Sequence, residues 1–306
     1  MSRYISPYTD FGFKKLFGEE CNKVLLQDFL NSILPSYHQI DSLTFQNAEN
    51  LPDLPSFRSA IFDIFCRGKN GEQFIVEMQN FPQKFFKDRL VYYSTFPIQR
   101  QAPKGDWDFE LKPVYLVGIL NFTFDDEKLV KKFSHDVILC DMSGDVFFDK
   151  LHFLLFQMPL FVKSESELLT RQDKWLYFLK HLDNFDNIPS ILHEPIFEQA
   201  FDTASYVNLR VSELEKYEQE LRVIRDNYAV QQTAEENAFN NGFNNGFNNG
   251  FNNGYGKGEA MGVIEGERKK AIEITKRMKS KGFTIEQIVA ISGLTTLEVE
   301  QIIAEC

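Results

Sequence analysis

Apolar positions recur along this chain with two different periods. From Phe11 to Leu34, the residues Phe13, Leu16, Phe17, Val24, Leu25, Phe29 and Ile33 return at spacings of three, four and seven, which predicts one face of one or two helices. Pro35 closes that stretch. A turn-rich segment, NLPDLPSFR, follows from Asn50. The pattern then predicts two strands, at about 58–67 and about 72–79, joined by GKNG, which supplies hairpin-turn residues. Between Gln83 and Gln101, Phe86, Leu90, Tyr93 and Ile98 fall near one helical face, with Pro97 set to kink or end it. PVYLVGILNFTF is a near-continuous apolar run, as expected of a central strand covered on both faces. DVILCDM and LHFLLFQMPL predict two more strands, and helices follow from about Glu165 to about Gln232. A helix between strands and helices after the sheet indicate an α/β or α+β layered fold.

The pattern changes at Phe239. FNNG is repeated four times up to Gly254, and glycine keeps the four-residue step at Gly258, Gly262 and Gly266. A period of four lies close to the helical 3.6 and would give slowly drifting stripes of Phe and Gly. Glycine costs a helix about 1 kcal/mol relative to alanine. Residues 233–262 are therefore expected to be a linker, the alternative being a helix made only by packing against a second copy. Beyond it, 263–306 predict a helical hairpin. A basic helix runs from Arg268 to Lys281, Gly282 ends it, and Thr284 with Gln287 and Thr295 with Glu298 have the spacing of capping boxes. Ile285, Ile288, Val289, Leu294, Val299, Ile302 and Ile303 would share its small core.

Composition narrows the class. The chain has 306 residues, 43% of them apolar and 31 of them Phe, enough for one large domain with appendages. A net charge of −11 argues weakly against a protein coated in nucleic acid but leaves room for a local basic groove. Cys21, Cys66, Cys140 and Cys306 are spaced for neither a zinc knuckle nor a disulfide framework. The opening MSRYISPYTD has no apolar core, and no apolar run reaches the roughly 20 residues of a membrane span. The expected setting is the cytoplasm, without membrane attachment. The five histidines form no i,i+4 pair, and neither a nucleophile elbow nor a phosphate-binding glycine loop is present.

The unusual positions are two acids inside the apolar strands. In IFDIFC, Asp63 is flanked by apolar residues on both faces, and in FIVEMQ, Glu77 shares a face with Ile75 and Gln79. Burying an unpaired carboxylate costs several kcal/mol. Two on neighbouring strands also repel, unless a cation lies between them. A hard divalent ion takes such oxygens and keeps water positions for chemistry. The plain alternative is a strand-edge acid facing solvent.

An Asp, a hairpin and then Glu-x-Lys is the layout of PD-(D/E)xK nucleases, with Gln79 here in the place of Lys. YTDFGFKKLFG, FDIFC, EMQ, DRLVYYSTFPIQRQ, PVYLVGILNF and the terminal hairpin, in that order, resemble the Rpn recombination-promoting nucleases, PD-(D/E)xK putative transposases. The resemblance implies a PD-(D/E)xK restriction-endonuclease-like core, a mixed sheet flanked by helices, over residues 1–232. It implies a DNA endonuclease using Mg2+, with Mn2+ as a substitute, in recombination, mobile elements or phage defence. Asp63 and Glu77 match its metal-binding acids, Gln79 the residue that positions the attacking water, and Asp10 a further acid beside the metal, with a helix cap as its alternative role. Neutral Gln can orient water but supplies no charge. Arg89, Tyr92 and Arg100 are candidate DNA contacts, whereas Lys84 and Lys87 are expected on a solvated face.

Two other functions compete: a non-catalytic DNA-binding or scaffolding protein on a decayed nuclease fold, and a hairpin that itself reads DNA. The last helix carries Glu298, Glu300 and Glu305 and no Lys or Arg, so phosphate would repel it. The hairpin is expected instead to serve assembly as a homo-oligomer. Met261 could start a short C-terminal form that binds the full-length chain.

Overall fold

The computed structural model describes residues 2–47, 49–50, 60–102, 105–125, 129 and 131–305. Most of the turn-rich stretch after Asn50, and Cys306, lie outside the described residues. The chain divides into two compact units, Met1–Asp226 and Asn227–Cys306.

The helical stretch at the start of the first unit becomes two helices, α1 (Asp10–Phe17) and α2 (Lys23–Ile33). Thr9 caps α1, its hydroxyl accepting from the Gly12 amide at 2.8 Å. Gly12 is required there, because a Cβ would lie 2.1 Å from the Ser6 carbonyl oxygen. Phe13, Leu16, Phe17, Leu25 and Phe29 are buried as their spacing predicts, whereas Val24 is exposed because α2 turns that side to solvent.

Strands β1 (Leu43–Phe45), β2 (Glu49–Asn50), β3 (Ala60–Ile61), β4 (Ile64–Gly68) and β5 (Gln73–Gln79) come next. The β4–β5 turn uses Gly71 at φ 99°, in the left-handed region that glycine tolerates. Helix α3 (Phe86–Gln99) contains Pro97 and is followed by β6 (Val114–Leu120), β7 (Ser134–Cys140) and β8 (Val146–Gln157). Six strands form one mixed sheet in the order β1-β4-β5-β6-β8-β7. β5, β6 and β8 run parallel, while β1–β4, β4–β5 and β7–β8 are antiparallel. β2 and β3 form a separate short ladder. Every residue of β6 is buried, which explains its unbroken apolar run.

Two cores sandwich the sheet. Phe74, Val76, Tyr115 and Val117 pack with α1, α2, α4 (Arg171–His181) and α5 (Pro195–Ala204). Ile75, Leu116, Phe153 and Leu155 pack with Phe86 and Leu90 of α3. Helices thus flank a mixed sheet on both faces, as the hydrophobic pattern of the chain implies. Gln157 pins the β6–β7 connection: its Oε1 accepts from the Phe124 amide at 2.7 Å, and its Nε2 donates to the Leu129 and Lys132 carbonyls.

Helix α6 (Val211–Ser280) begins in the first unit, and its later part belongs to the second. Residues 233–262 are thus helical rather than an unstructured linker. The four-residue period places Phe239, Phe243, Phe247, Phe251 and Tyr255 one turn apart, where successive rings stack with centroids 6.2 to 6.4 Å apart. The hairpin closes the chain with α7 (Ile285–Ser292) and α8 (Thr296–Ala304). Both capping boxes form, and Gly293 ends α7 at φ 71°. Ile288 and Val299 are fully buried in this small core. Among the described residues, no helix is long and apolar enough to cross a membrane.

Candidate active site

The site forms where the β4–β5 ladder stops. Backbone pairing runs from Arg67 opposite Gln73 to Ile64 opposite Val76. One residue further out, side chains replace the ladder. The Met78 amide donates to Asp63 Oδ2 at 2.8 Å, and the Asp63 amide donates to Glu77 Oε1 at 3.2 Å. Asp63 is therefore tied to the backbone of β5, and Glu77 to the backbone just before β4, where the strand expected at about 58–67 is broken at Phe62 and Asp63. Alternation along β5 turns Gln73, Ile75, Glu77 and Gln79 toward α3, because Phe74, Val76 and Met78 fill the opposite core. Glu77 stands in register with Gly118 of β6.

Glu77 is 2% exposed. Its Oε2 accepts from Gln79 Nε2 at 3.0 Å and from Arg89 Nη2 at 3.2 Å. Arg89 reaches in from α3. Its Nη1 lies 3.4 Å from Gln79 Oε1 and 2.8 Å from Gln83 Oε1, and its guanidinium carbon sits 4.8 Å over the Tyr93 ring. Gln79 is held at both ends of its amide, with Oε1 also accepting from Gln83 at 3.5 Å. Among the described residues, Asp63 Oδ1 accepts no hydrogen bond.

Burial pushes both carboxyls above the usual carboxylate range. For Glu77, burial is the largest cause and the negative charge of Asp63 adds to it, while Arg89 pulls the other way. For Asp63, burial and the charge of Asp10 raise it, against the Met78 amide, Lys14 and Arg89. Two desolvated acids held above their ordinary range, one with an unbonded oxygen, form a hard-oxygen donor set that suits a small divalent cation. Among the described residues, no group of three His, Cys, Asp or Glu converges to hold a metal. Two carboxylates are nonetheless what magnesium commonly takes from a protein, its other positions going to water and substrate.

The structure thus gathers Asp63, Glu77, Gln79 and Arg89 in one cluster. Asp10 opens α1, with its carboxylate 2.7 Å from Lys14 Nζ, close enough to raise Asp63 but bonded to Lys14. The helix cap proposed as its alternative belongs to Thr9. Tyr92 lies further along α3, in ring contact with Tyr93 and Phe96. Arg100 is placed elsewhere: it lies over Phe65 and donates to the Asn47 carbonyl at 3.4 Å. Gln83 and Lys14 are the neighbours that sequence reasoning missed. The i,i+4 pair of Asp10 and Lys14 is a signal that could have found Lys14. Gln83 sits in a loop with no pattern to mark it. It also lines a cleft of about 440 Å3 with Lys84, Lys87 and Thr123.

Comparison with curated proteins and with solved structures returned no match. A family model described as PD-(D/E)XK nuclease family transposase matches residues 7–234, which include the two acids, Gln79 and Arg89. The chain belongs to the PD-(D/E)XK nuclease family transposases.

Proposed function

We propose that this chain is a metal-dependent DNA endonuclease, hydrolysing phosphodiester bonds in recombination, mobile-element movement or phage defence. The observation that carries the reading is the crossed pair of acids, half-buried Asp63 and buried Glu77, each bonded to the backbone amide of the other acid or of its neighbour. Their repulsion is a standing cost that a divalent cation relieves. Asp63, through Oδ1, and Glu77 would hold Mg2+, or Mn2+ in its place. When bound, the ion supplies Lewis acidity at the scissile phosphate and lowers the pKa of water. Gln79 orients water through its amide, once the contacts that hold it loosen. Asp10 with Lys14 tunes the charge at Asp63 from α1. Lys84 and Lys87, in the cleft beside Gln83, offer phosphate contacts along α3.

In this reading the second unit serves assembly. The hairpin of 263–306 self-associates, and a short form starting at Met261 competes for the same surface. The first test is plasmid nicking with and without Mg2+. A wild-type protein that binds DNA but never cuts it, with any divalent ion, would favour the scaffolding alternative.

A further inference from the structure

The weak point of the proposed chemistry is Gln79, which cannot supply the positive charge of the Lys in the Glu-x-Lys pattern. A cation does reach the same place from another element. Arg89 Nη1 is 3.4 Å from Gln79 Oε1, and Nη2 is 3.2 Å from Glu77 Oε2. The guanidinium therefore lies at the tip of the residue that replaces the lysine. It is aimed from outside by Gln83 at 2.8 Å and by the Tyr93 ring beneath it. Its side chain is 28% exposed, so part of the fork faces solvent, while Glu77 is closed off.

We propose that Arg89 takes the lysine's place by exchanging partners: it is the counter-ion of Glu77 while no divalent ion is bound, and the cation facing the scissile phosphate once one is. This rests on the nuclease reading above. Charge makes the exchange favourable. With both acids ionised, as a bound cation requires, Asp63 and Glu77 bring two negative charges against one positive charge on Arg89, while Lys14 is matched by Asp10. A divalent cation between the acids reverses the excess to positive and repels the guanidinium from Glu77 Oε2. Arg cannot escape by losing its proton, and its planar fork fits a phosphate through two parallel hydrogen bonds. Tyr93 and Gln83 keep the side chain beside the site, so it need only pivot.

The test uses the full chain, with Mn2+ alone as a calorimetric probe and a plasmid as substrate. Arg89→Met removes a cation that competes for Glu77, so Mn2+ should bind about 5-fold tighter. The same variant should lose about 100-fold in kcat at saturating metal, with a smaller change in KM. Arg89→Lys, which keeps the charge as a point cation but loses the fork, should fall by about 10-fold in kcat, well short of the loss in Arg89→Met. Gln79→Lys placed on Arg89→Met should recover most of the lost rate, because it returns an ammonium to the same point. An Arg89 that merely props up Glu77 predicts weaker Mn2+ binding and no rescue by Gln79→Lys. Either of those results overturns the proposal, as does unchanged cleavage by Arg89→Met. Should Arg89→Met fail to fold, Arg89→Lys decides: a loss of about 100-fold or more with unchanged Mn2+ affinity overturns it. If the wild type itself cuts nothing, the nuclease reading falls, while the Mn2+ comparison still judges the counter-ion role.

Discussion

The two faces of the central sheet are built to different ends. On one, Trp175 packs against Phe17, Phe29, Phe178 and Phe197 with ring centroids 4.8 to 6.0 Å apart. The buried acid of that side, Asp173, is matched by Lys163 at 2.7 Å and completes the capping box of α4 by accepting from the Thr170 amide. On the other face, α3 covers a smaller apolar core, and beyond it Arg89 pairs with Glu77 and reaches Asp63 only through its charge. The first face is satisfied by its own residues. The second is left short of positive charge, which is how a fold stores a binding site. Replacing groups on the first face should cost stability; replacing the acids on the second should cost function and leave stability intact or improved.

The largest separation is expected from Asp63→Ala and Glu77→Ala. Each should lower metal-dependent cleavage by about 1000-fold or more, while circular dichroism stays native and the melting temperature of the chelator-treated protein holds or rises. Trp175→Ala should do the reverse. It should cost about 3–5 kcal/mol in urea unfolding, with cleavage per folded molecule unchanged.

A smaller effect follows from proton linkage. The folded-state pKa of Glu77 is raised to about 8, above its unfolded value, so the metal-free folded state binds protons more tightly. Stability then falls as pH rises from the ordinary carboxylate range through about 8. Urea unfolding with chelator at pH 6 and pH 8.5 should differ by about 1–2 kcal/mol, with the lower pH more stable. Glu77→Gln should flatten that slope, and Mg2+ should cancel it. The smallest effect concerns α6. Deleting one FNNG unit should leave the melting of the first unit unchanged within about 0.5 kcal/mol, because the repeat lies in the second unit and its side chains are exposed. A larger shift in a calorimetric scan would mean that the units are coupled.

Sheet and site were unevenly legible in the sequence. The β6 run, the caps at Thr284 and Thr295 and the place of Glu77 in β5 each follow from a local rule, and the structure has those elements, whereas the strand expected around Asp63 breaks at Phe62 and Asp63. Alternation along β5 was enough to place Glu77 and Gln79 on one face. The cross-bonding of Asp63 to Met78 was not legible, because it arises where the ladder ends and side chains take over. Arg89 lies in α3 and Arg100 caps its C-terminal end, and only packing tells which of them reaches the acids. In the repeat, glycine content argued for a linker, and the ring stripe at the four-residue step runs instead along a helix.

The most direct measurement is plasmid cleavage by the purified full chain in Mg2+, beside Asp63→Ala and a chelator control. Nicked product is expected from the wild type alone, lost on chelation and absent from the variant. Equal cleavage by Asp63→Ala and wild type, or cleavage that survives chelation, would contradict the nuclease reading.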